Sequence, residues 1–143
     1  MRFKRTLTVA TVAGTVLMGG AAAAVAVSTG GGEQDLSTTG VSFKPGYYYF
    51  NAPSVSQGAF EIYGDLNDTA ADGNAVFVHA KVEGYSYGTR VYNSGGAGTS
   101  KYVDRYYYAP DETYVTSGQY QACQDRGTLY SDLCATSSVK YRP

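Results

Sequence analysis

The chain of 143 residues contains fifteen tyrosines and no tryptophan, and its formal net charge is −1. Beyond residue 26 it carries eight basic and twelve acidic residues, which gives this part of the chain a net charge of −4. That balance argues against nucleic acid and anionic membranes as partners, because both are bound by basic faces that displace counterions, and the length suits a single domain.

Residues 1–26 have the three-part pattern of a secretory signal peptide. Arg2, Lys4 and Arg5 precede an apolar stretch, and small residues follow it up to Ala26. A membrane anchor is the alternative, but threonine and glycine interrupt the apolar stretch, and no later segment is apolar enough to cross a bilayer. We therefore expect cleavage after Ala26 and a secreted, extracellular protein with no membrane contact afterwards.

Residues 27–40 are rich in glycine, serine and threonine, which predicts a flexible N-terminal tail. A single domain is then expected over residues 41–143. Pro45-Gly46 is a turn signal, and the aromatic run that follows it suits a pleated sheet.

The strongest strand signals flank an acidic segment at residues 65–74. Phe60, Ile62 and Leu66 fall on one face of the first strand, and the second, AVFVHAKVE, alternates in the same way. The segment between them offers the oxygen ligands that calcium prefers, namely those of Asp65, Asn67, Asp68, Asp72 and Asn74. Its spacing fails the EF-hand pattern and Asp72-Gly73 is a turn pair, so a hairpin loop is favoured over a calcium site.

Further strands are expected over residues 85–92, 101–108, 113–123 and 136–141, separated by turns that contain glycine or proline. No segment has the period of an amphipathic helix. About seven or eight short strands of this kind predict an all-β fold, an antiparallel β-sandwich or a small barrel.

The two cysteines, Cys123 and Cys134, form an even pair in an exported chain, which predicts a disulfide. Their spacing is wrong for a redox motif, and the only histidine is distant in sequence. The bond would close and stiffen the loop 124–133. A rigid exposed loop suits a secreted protease inhibitor, in which Arg126 is the candidate specificity residue.

The tyrosines cluster at residues 47–49, at 85 and 87, and at 106–108. Neighbouring side chains of a strand point to opposite faces, so a triple of tyrosines leaves at least one ring partly exposed. One interpretation is a surface for an extracellular protein or glycan, formed by Tyr48, Tyr85, Tyr87 and Tyr107. The other is that tyrosine simply suits half-exposed strands.

His79 is the only histidine, and it lies in the middle of a predicted strand, opposite the apolar face. No nucleophile elbow stands near it, and the glycines of NSGGAGTS lack the strand-to-helix context of a phosphate-binding loop. We expect no enzymatic activity, no cofactor and no metal. A small hydrolase that uses His79 as its base is the least favoured alternative.

Three segments, LNDTAADGNAVFVHAKVEGY, RVYNSGGAGTS and ACQDRGTLYSDLC, together resemble a group of small secreted actinobacterial proteins without an assigned activity. That resemblance implies a β-rich exported domain with a disulfide near its end, and no particular reaction. The segment DLCATSSVKY is also similar to the closing Ser-Ser segment of βγ-crystallin-like secreted metalloprotease inhibitors. The aromatic-and-glycine motif of that family does not repeat here.

Overall fold

Two antiparallel five-stranded sheets pack against each other in a computed structural model that describes residues 28–143. The expected signal peptide, residues 1–26, lies outside the described residues. Within the described range, no helix has the length and hydropathy needed to span a bilayer. The predicted all-β sandwich is confirmed.

Ten strands make up the two sheets, and one short 3₁₀ turn interrupts them. In chain order they are β1 (Gly30–Glu33), β2 (Leu36–Thr38), β3 (Val41–Phe50), β4 (Phe60–Asp68), β5 (Val76–Val82), β6 (Val91–Asn93), β7 (Ser100–Tyr107), β8 (Ser117–Gln124), β9 (Leu133–Thr136) and β10 (Lys140–Tyr141); the 3₁₀ turn is Ser56–Gly58. In the first sheet, β1 and β2 pair with the two halves of β3, which pairs with β4, and β4 pairs with β7. In the second, β10 and β9 pair with β8, which pairs with β5, and β5 pairs with β6.

The core lies between the inner faces of the two sheets. Residues of β4 alternate between buried and half-buried positions, so Phe60, Ile62 and Leu66 point inward as the period of two predicts. Phe43 of the first sheet meets Tyr120 of the second edge to face, with ring centroids 6.1 Å apart. Each such side chain stabilises the fold by roughly 1.5–3 kcal/mol through burial.

The domain begins earlier than the sequence predicts, because β1 and β2 occupy most of the expected tail at residues 27–40. Glycine is what allows this: a Cβ atom on Gly31 would lie 2.2 Å from the carbonyl oxygen of Tyr48. The side chain of Leu36 is buried, and the Tyr120 hydroxyl donates to the carbonyl of Gln34 at 2.6 Å. The prediction of a flexible tail is therefore wrong for residues 30–38.

The acidic segment between β4 and β5 is not a hairpin, because these two strands belong to different sheets. It crosses from one sheet to the other, and its carboxylates accept hydrogen bonds that shape the crossing. Asp72 Oδ1 accepts from the backbone of Asn74 at 2.9 Å, and Asp68 Oδ1 accepts from the backbone of Ala70 at 3.2 Å. Across residues 28–143, no three His, Cys, Asp or Glu side chains are grouped in a way that could hold a metal ion.

The segment before β6 also differs from its prediction as a strand over residues 85–92. Only Val91–Asn93 is a strand, and the preceding segment turns back at Gly84, whose φ is +72°. The backbone of Gly88 donates to the carbonyl of Ala80 at 2.8 Å, which holds the segment alongside β5. We call residues 84–90 the strap.

The predicted disulfide is confirmed. Cys123 and Cys134 stand directly opposite each other on β8 and β9, with Cα atoms 4.1 Å apart. The strand β9 itself is not predicted by the sequence, because it has only four residues. The bond therefore holds a short edge strand to the sheet and closes the loop 124–133.

Candidate functional site

The outer face of the first sheet carries most of the accessible tyrosines. Cross-strand partners lie on the same face of a sheet, and the register aligns Tyr47 with Tyr63 and Asp104, and Tyr49 with Glu61 and Tyr106. Asp65 stands opposite Tyr102 on β7, and Glu33 stands opposite Tyr47 on β1. We call this set the tyrosine face: Tyr47, Tyr49, Tyr63, Tyr102 and Tyr106, with Glu33, Glu61, Asp65 and Asp104.

The rings of the tyrosine face differ in exposure. Tyr47 and Tyr63 stack on each other with centroids 5.1 Å apart and an interplanar angle of 18°, and both are half-buried. Tyr49 is 37% exposed and Tyr102 is 64% exposed. The stacked pair therefore presents edges and hydroxyls to solvent, while Tyr102 presents most of its ring.

The carboxylates and phenols of this face act on one another. Burial raises the pKa of Tyr63, and the charge of Glu61 raises it further. The charge of Glu61 is the largest cause of the raised pKa of Tyr106, followed by burial and Asp104. Both phenols therefore stay protonated at neutral pH and can donate hydrogen bonds.

The basic residues nearest in sequence have partners of their own or an inward register position. Lys101 Nζ donates to the carbonyl of Tyr92 at 2.7 Å, and Lys44 Nζ lies 3.6 Å from Asp35 Oδ2. Arg105 pairs in register with Ile62, which is an inward-facing position of β4. The face is thus aromatic and acidic, without a basic residue at its register positions.

Two of the tyrosines predicted for a binding surface lie on the inner side of the same sheet. Tyr107 is only 6% exposed; its hydroxyl donates to the carbonyl of Thr89 at 3.0 Å, and burial raises its pKa to about 12. Tyr48 is half-buried and packs against Phe50 and Phe60, with centroids 6.3 Å and 6.1 Å away. Tyr107 therefore cannot form the predicted surface, and the flanking tyrosines of each triple take its place.

The other two predicted tyrosines belong to the strap on the second sheet. The Tyr85 hydroxyl donates to Asp111 Oδ2 at 2.8 Å, which raises the pKa of Tyr85. The Tyr87 hydroxyl donates to Gln119 Oε1 at 3.4 Å. Both side chains are half-buried and belong to the strap alongside β5, not to the outer face of the first sheet.

His79 lies under the strap and is 7% exposed. Its Nε2 atom is 3.1 Å from Gln121 Oε1, an amide oxygen rather than a carboxylate or a nucleophilic hydroxyl. Burial lowers the pKa of His79, which favours the neutral ring. This environment lacks the orienting acid that a catalytic histidine of a triad uses.

The disulfide-closed loop presents different residues from the one predicted. Arg126 is half-buried, with its guanidinium 5.1 Å from the ring centroid of Tyr130. Leu129 and Tyr130 are 87% and 64% exposed and form the apex. Asp132 stiffens the loop, because Oδ1 accepts from the Arg126 backbone at 3.2 Å and Oδ2 lies 3.2 Å from Arg90 Nη2.

An open cleft of about 440 Å³ lies at the edge between the two sheets. Tyr107, Arg105 and Thr89 line it from β7 and the strap. Tyr106 and Asp104 also line it, so the cleft borders the tyrosine face.

No family model, no curated protein and no solved structure matches this chain. The resemblance to small secreted actinobacterial proteins stays a prediction. Function is therefore inferred from the geometry of the sites described above.

Proposed function

We propose that this chain is an exported, non-enzymatic binding protein that engages an extracellular protein through the tyrosine face. One observation carries the proposal: five phenol rings are aligned across three neighbouring strands of one sheet, on the side away from the core. Tyrosine is favoured in interfaces because it gives a large contact area at a low entropy cost. Its hydroxyl also provides hydrogen bonds at the edge of an apolar contact.

The stacking of Tyr47 on Tyr63 favours a protein over a glycan as the partner. Aromatic platforms bind sugars through open ring faces, and these two faces are partly covered by each other, at a centroid distance of 5.1 Å. The hydroxyls and ring edges that remain suit the polar and apolar groups of a polypeptide. Three strands and three alternate positions span roughly 10 by 14 Å between Cα atoms, an area suited to the centre of a larger interface.

Export is supported by the same structure. A disulfide such as Cys123–Cys134 persists in oxidising compartments and is rare in the cytosol. The partner is accordingly sought among extracellular proteins.

Paired variants test the proposal. The wild-type protein is immobilised and exposed to extracellular proteins of the producing cell, and a captured protein is then purified and titrated. We expect Tyr49→Ser/Tyr102→Ser to weaken its binding by about tenfold or more. The matched control is Val139→Ser/Tyr141→Ser, which removes two large side chains that are 43% and 74% exposed elsewhere.

Two outcomes would overturn the proposal. The first is equal loss of binding in the face and control variants, because the contact would then not involve the tyrosine face. The second is capture of a glycan, with no protein, by a face-dependent contact.

The apex of the disulfide loop favours a second candidate function, that of a protease inhibitor. Leu129 and Tyr130 protrude from a loop that the disulfide and Asp132 stiffen, as a substrate-like loop requires. We expect it to inhibit serine proteases that cleave after large apolar residues. Leu129→Gly or Tyr130→Gly would abolish that inhibition and Arg126→Ala would retain it, whereas a protease panel unaffected by micromolar protein would refute the candidate.

A further inference from the structure

We infer that the partner segment that docks on the tyrosine face is cationic, a stretch of protein rich in arginine or lysine. This inference rests on the proposed function of that face and specifies the chemistry of the partner. It follows from three properties of the face: its charge, its free rings, and the pairing of each carboxylate with a phenol.

The charge of the face is of one sign. Four carboxylates belong to it, from Glu33, Glu61, Asp65 and Asp104, and no basic residue occupies the register positions between them. Like charges that face one another weaken an interface, whereas opposite charges steer and hold the partner. An acidic partner is therefore disfavoured and a basic one is favoured.

The rings of the face are free of the chain's own cations. Among residues 28–143, six contacts place a lysine or arginine over an aromatic ring, at Tyr48, Phe50, Phe77, Tyr87, Tyr114 and Tyr130. None of the six involves a tyrosine of the tyrosine face. The chain thus places its own cations over other rings and leaves the exposed rings of Tyr102 and Tyr49 available to a cation from outside.

The third property is the placement of carboxylates beside phenols. Asp65 stands directly across from Tyr102, and Asp104 stands directly across from Tyr63. Cross-strand partners of this kind have Cβ atoms about 5 Å apart. A guanidinium can therefore pair with the carboxylate of Asp65 while it lies against the exposed ring of Tyr102.

Glu61 has a different place in this arrangement. Its Oε2 accepts a hydrogen bond from Asn51 Nδ2 at 2.8 Å. This contact holds the carboxylate in position and occupies part of its capacity to accept hydrogen bonds. Asp65 and Asp104 accept no side-chain hydrogen bond of this kind within residues 28–143, so they are the carboxylates to neutralise in a test.

The test uses four labelled nonapeptides of equal length, rich in arginine, lysine, glutamate or serine, titrated against the whole exported protein. We expect binding in the order arginine, then lysine, with none for glutamate or serine. Arginine leads because its planar guanidinium both stacks on rings and pairs with carboxylates. Affinity should fall as salt rises, since exposed charges are screened.

Isosteric neutralisation distinguishes the contribution of the carboxylates of the tyrosine face to peptide binding from that of the overall negative charge of the domain. Asp65→Asn/Asp104→Asn is expected to weaken arginine-peptide binding about three- to tenfold. The matched control, Asp111→Asn/Glu112→Gln, removes the same charge from an exposed loop outside the register of the face and should leave affinity within twofold. Equal losses in the two variants would overturn the inference, because binding would then follow only net charge.

The failure of this inference and the failure of the proposed function give different results. Suppose Tyr49→Ser/Tyr102→Ser abolishes binding of the captured partner but Asp65→Asn/Asp104→Asn does not. The face then binds a protein, and the cationic inference is wrong. If neither variant weakens binding of the partner or of the arginine peptide, both the proposed function and the inference are wrong.

Discussion

The ring of Tyr87 lies parallel to the imidazole of His79, with centroids 4.4 Å apart and an interplanar angle of 17°. His79 is on the outer face of β5, so the strap that carries Tyr87 covers that face. Arg90, at the end of the strap, places its guanidinium 4.0 Å from the ring centroid of Phe77. The two outer faces of the sandwich are therefore unequal, since side chains of the strap cover His79 and Phe77 on the second and the first presents the tyrosine face.

The burial of His79 makes folding stability depend on pH. Burial lowers the pKa of His79 from its ordinary 6.5, and the charge of Arg90 lowers it further, against the raising effects of Gln121 and Asp132. The unfolded chain therefore binds a proton at His79 more readily than the folded chain does. The contribution of the neutral ring is fully present above pH 6.5 and declines as the pH falls below that value.

Urea unfolding between pH 7.5 and pH 5 measures this effect. We expect the midpoint to fall below pH 6.5 in the wild type, and to change less over the same range in His79→Gln. Most carboxylates titrate about two pH units lower and contribute little there. A wild-type midpoint that stays constant, or an equal slope in His79→Gln, would contradict the prediction.

Arg142, which lies near the C-terminus, joins four separate segments of the chain. Its guanidinium donates to the carbonyls of Ser28, Asn51, Gly58 and Val115, at 3.1, 3.0, 2.8 and 2.6 Å. We expect Arg142→Lys to lower the free energy of unfolding by roughly 2 kcal/mol, because an ammonium cannot reach all four acceptors and hydrogen bonds to charged groups contribute about 1.5–3 kcal/mol each. The control is Arg105→Lys, since Arg105 is exposed and forms no ion pair within residues 28–143. An equal loss of unfolding free energy in both variants would contradict the role of the four hydrogen bonds of Arg142.

Gly64 permits the close contact that shapes the tyrosine face. Its φ is +151°, and a Cβ atom there would lie 2.0 Å from the carbonyl oxygen of Pro45. We expect Gly64→Ala to lower the free energy of unfolding by about 2 kcal/mol or more, because backbone must move to admit the methyl group. Gly96→Ala, with a φ of +84° and nothing within 4 Å of the new atom, should cost only about 1 kcal/mol; equal costs would contradict the steric explanation.

The sequence predicts the alternating strands well because their signal is local. In β4, a period of two separates Phe60 and Ile62 from Glu61 and Tyr63, and the structure places them accordingly. The second sheet follows the same rule in β5, although the strap also buries its outer residues Phe77 and His79. Local alternation identifies faces but does not reveal what covers them.

The triple tyrosines carry no such alternation, which explains why Tyr107, predicted for the binding surface, is buried instead. A shift of one residue exchanges the two faces of a strand, and the register of β3 is interrupted between Phe43 and Gly46. The apolar residues next to each tyrosine triple indicate which of its rings faces inward. Phe50 shares the parity of Tyr48, and Val103 shares the parity of Tyr107, so these middle tyrosines face inward with their apolar neighbours.

Glycine-rich segments are the other source of error. Glycine, serine and threonine at residues 27–40 suggest flexibility, yet Gly31 and Gly32 pair with Tyr49 and Tyr48. Because glycine has no side chain, the backbones of β1 and β3 can approach closely, and composition alone does not reveal this contact. The edge of the first sheet is therefore built from residues that the sequence assigns to a tail.

The neighbouring residues Tyr106 and Tyr107 provide a direct separation of binding from stability. Tyr106→Phe removes a hydroxyl from the tyrosine face and should weaken arginine-peptide binding two- to fivefold while leaving the urea midpoint unchanged. Tyr107→Phe removes the hydrogen bond to the carbonyl of Thr89, which should lower the free energy of unfolding by about 1 kcal/mol and leave binding unchanged. Both variants are measured by both assays, so each serves as the control for the other. The opposite result, with Tyr107→Phe affecting binding alone, would mean that the inward-facing ring is the one that contacts the partner, and it would contradict the tyrosine face.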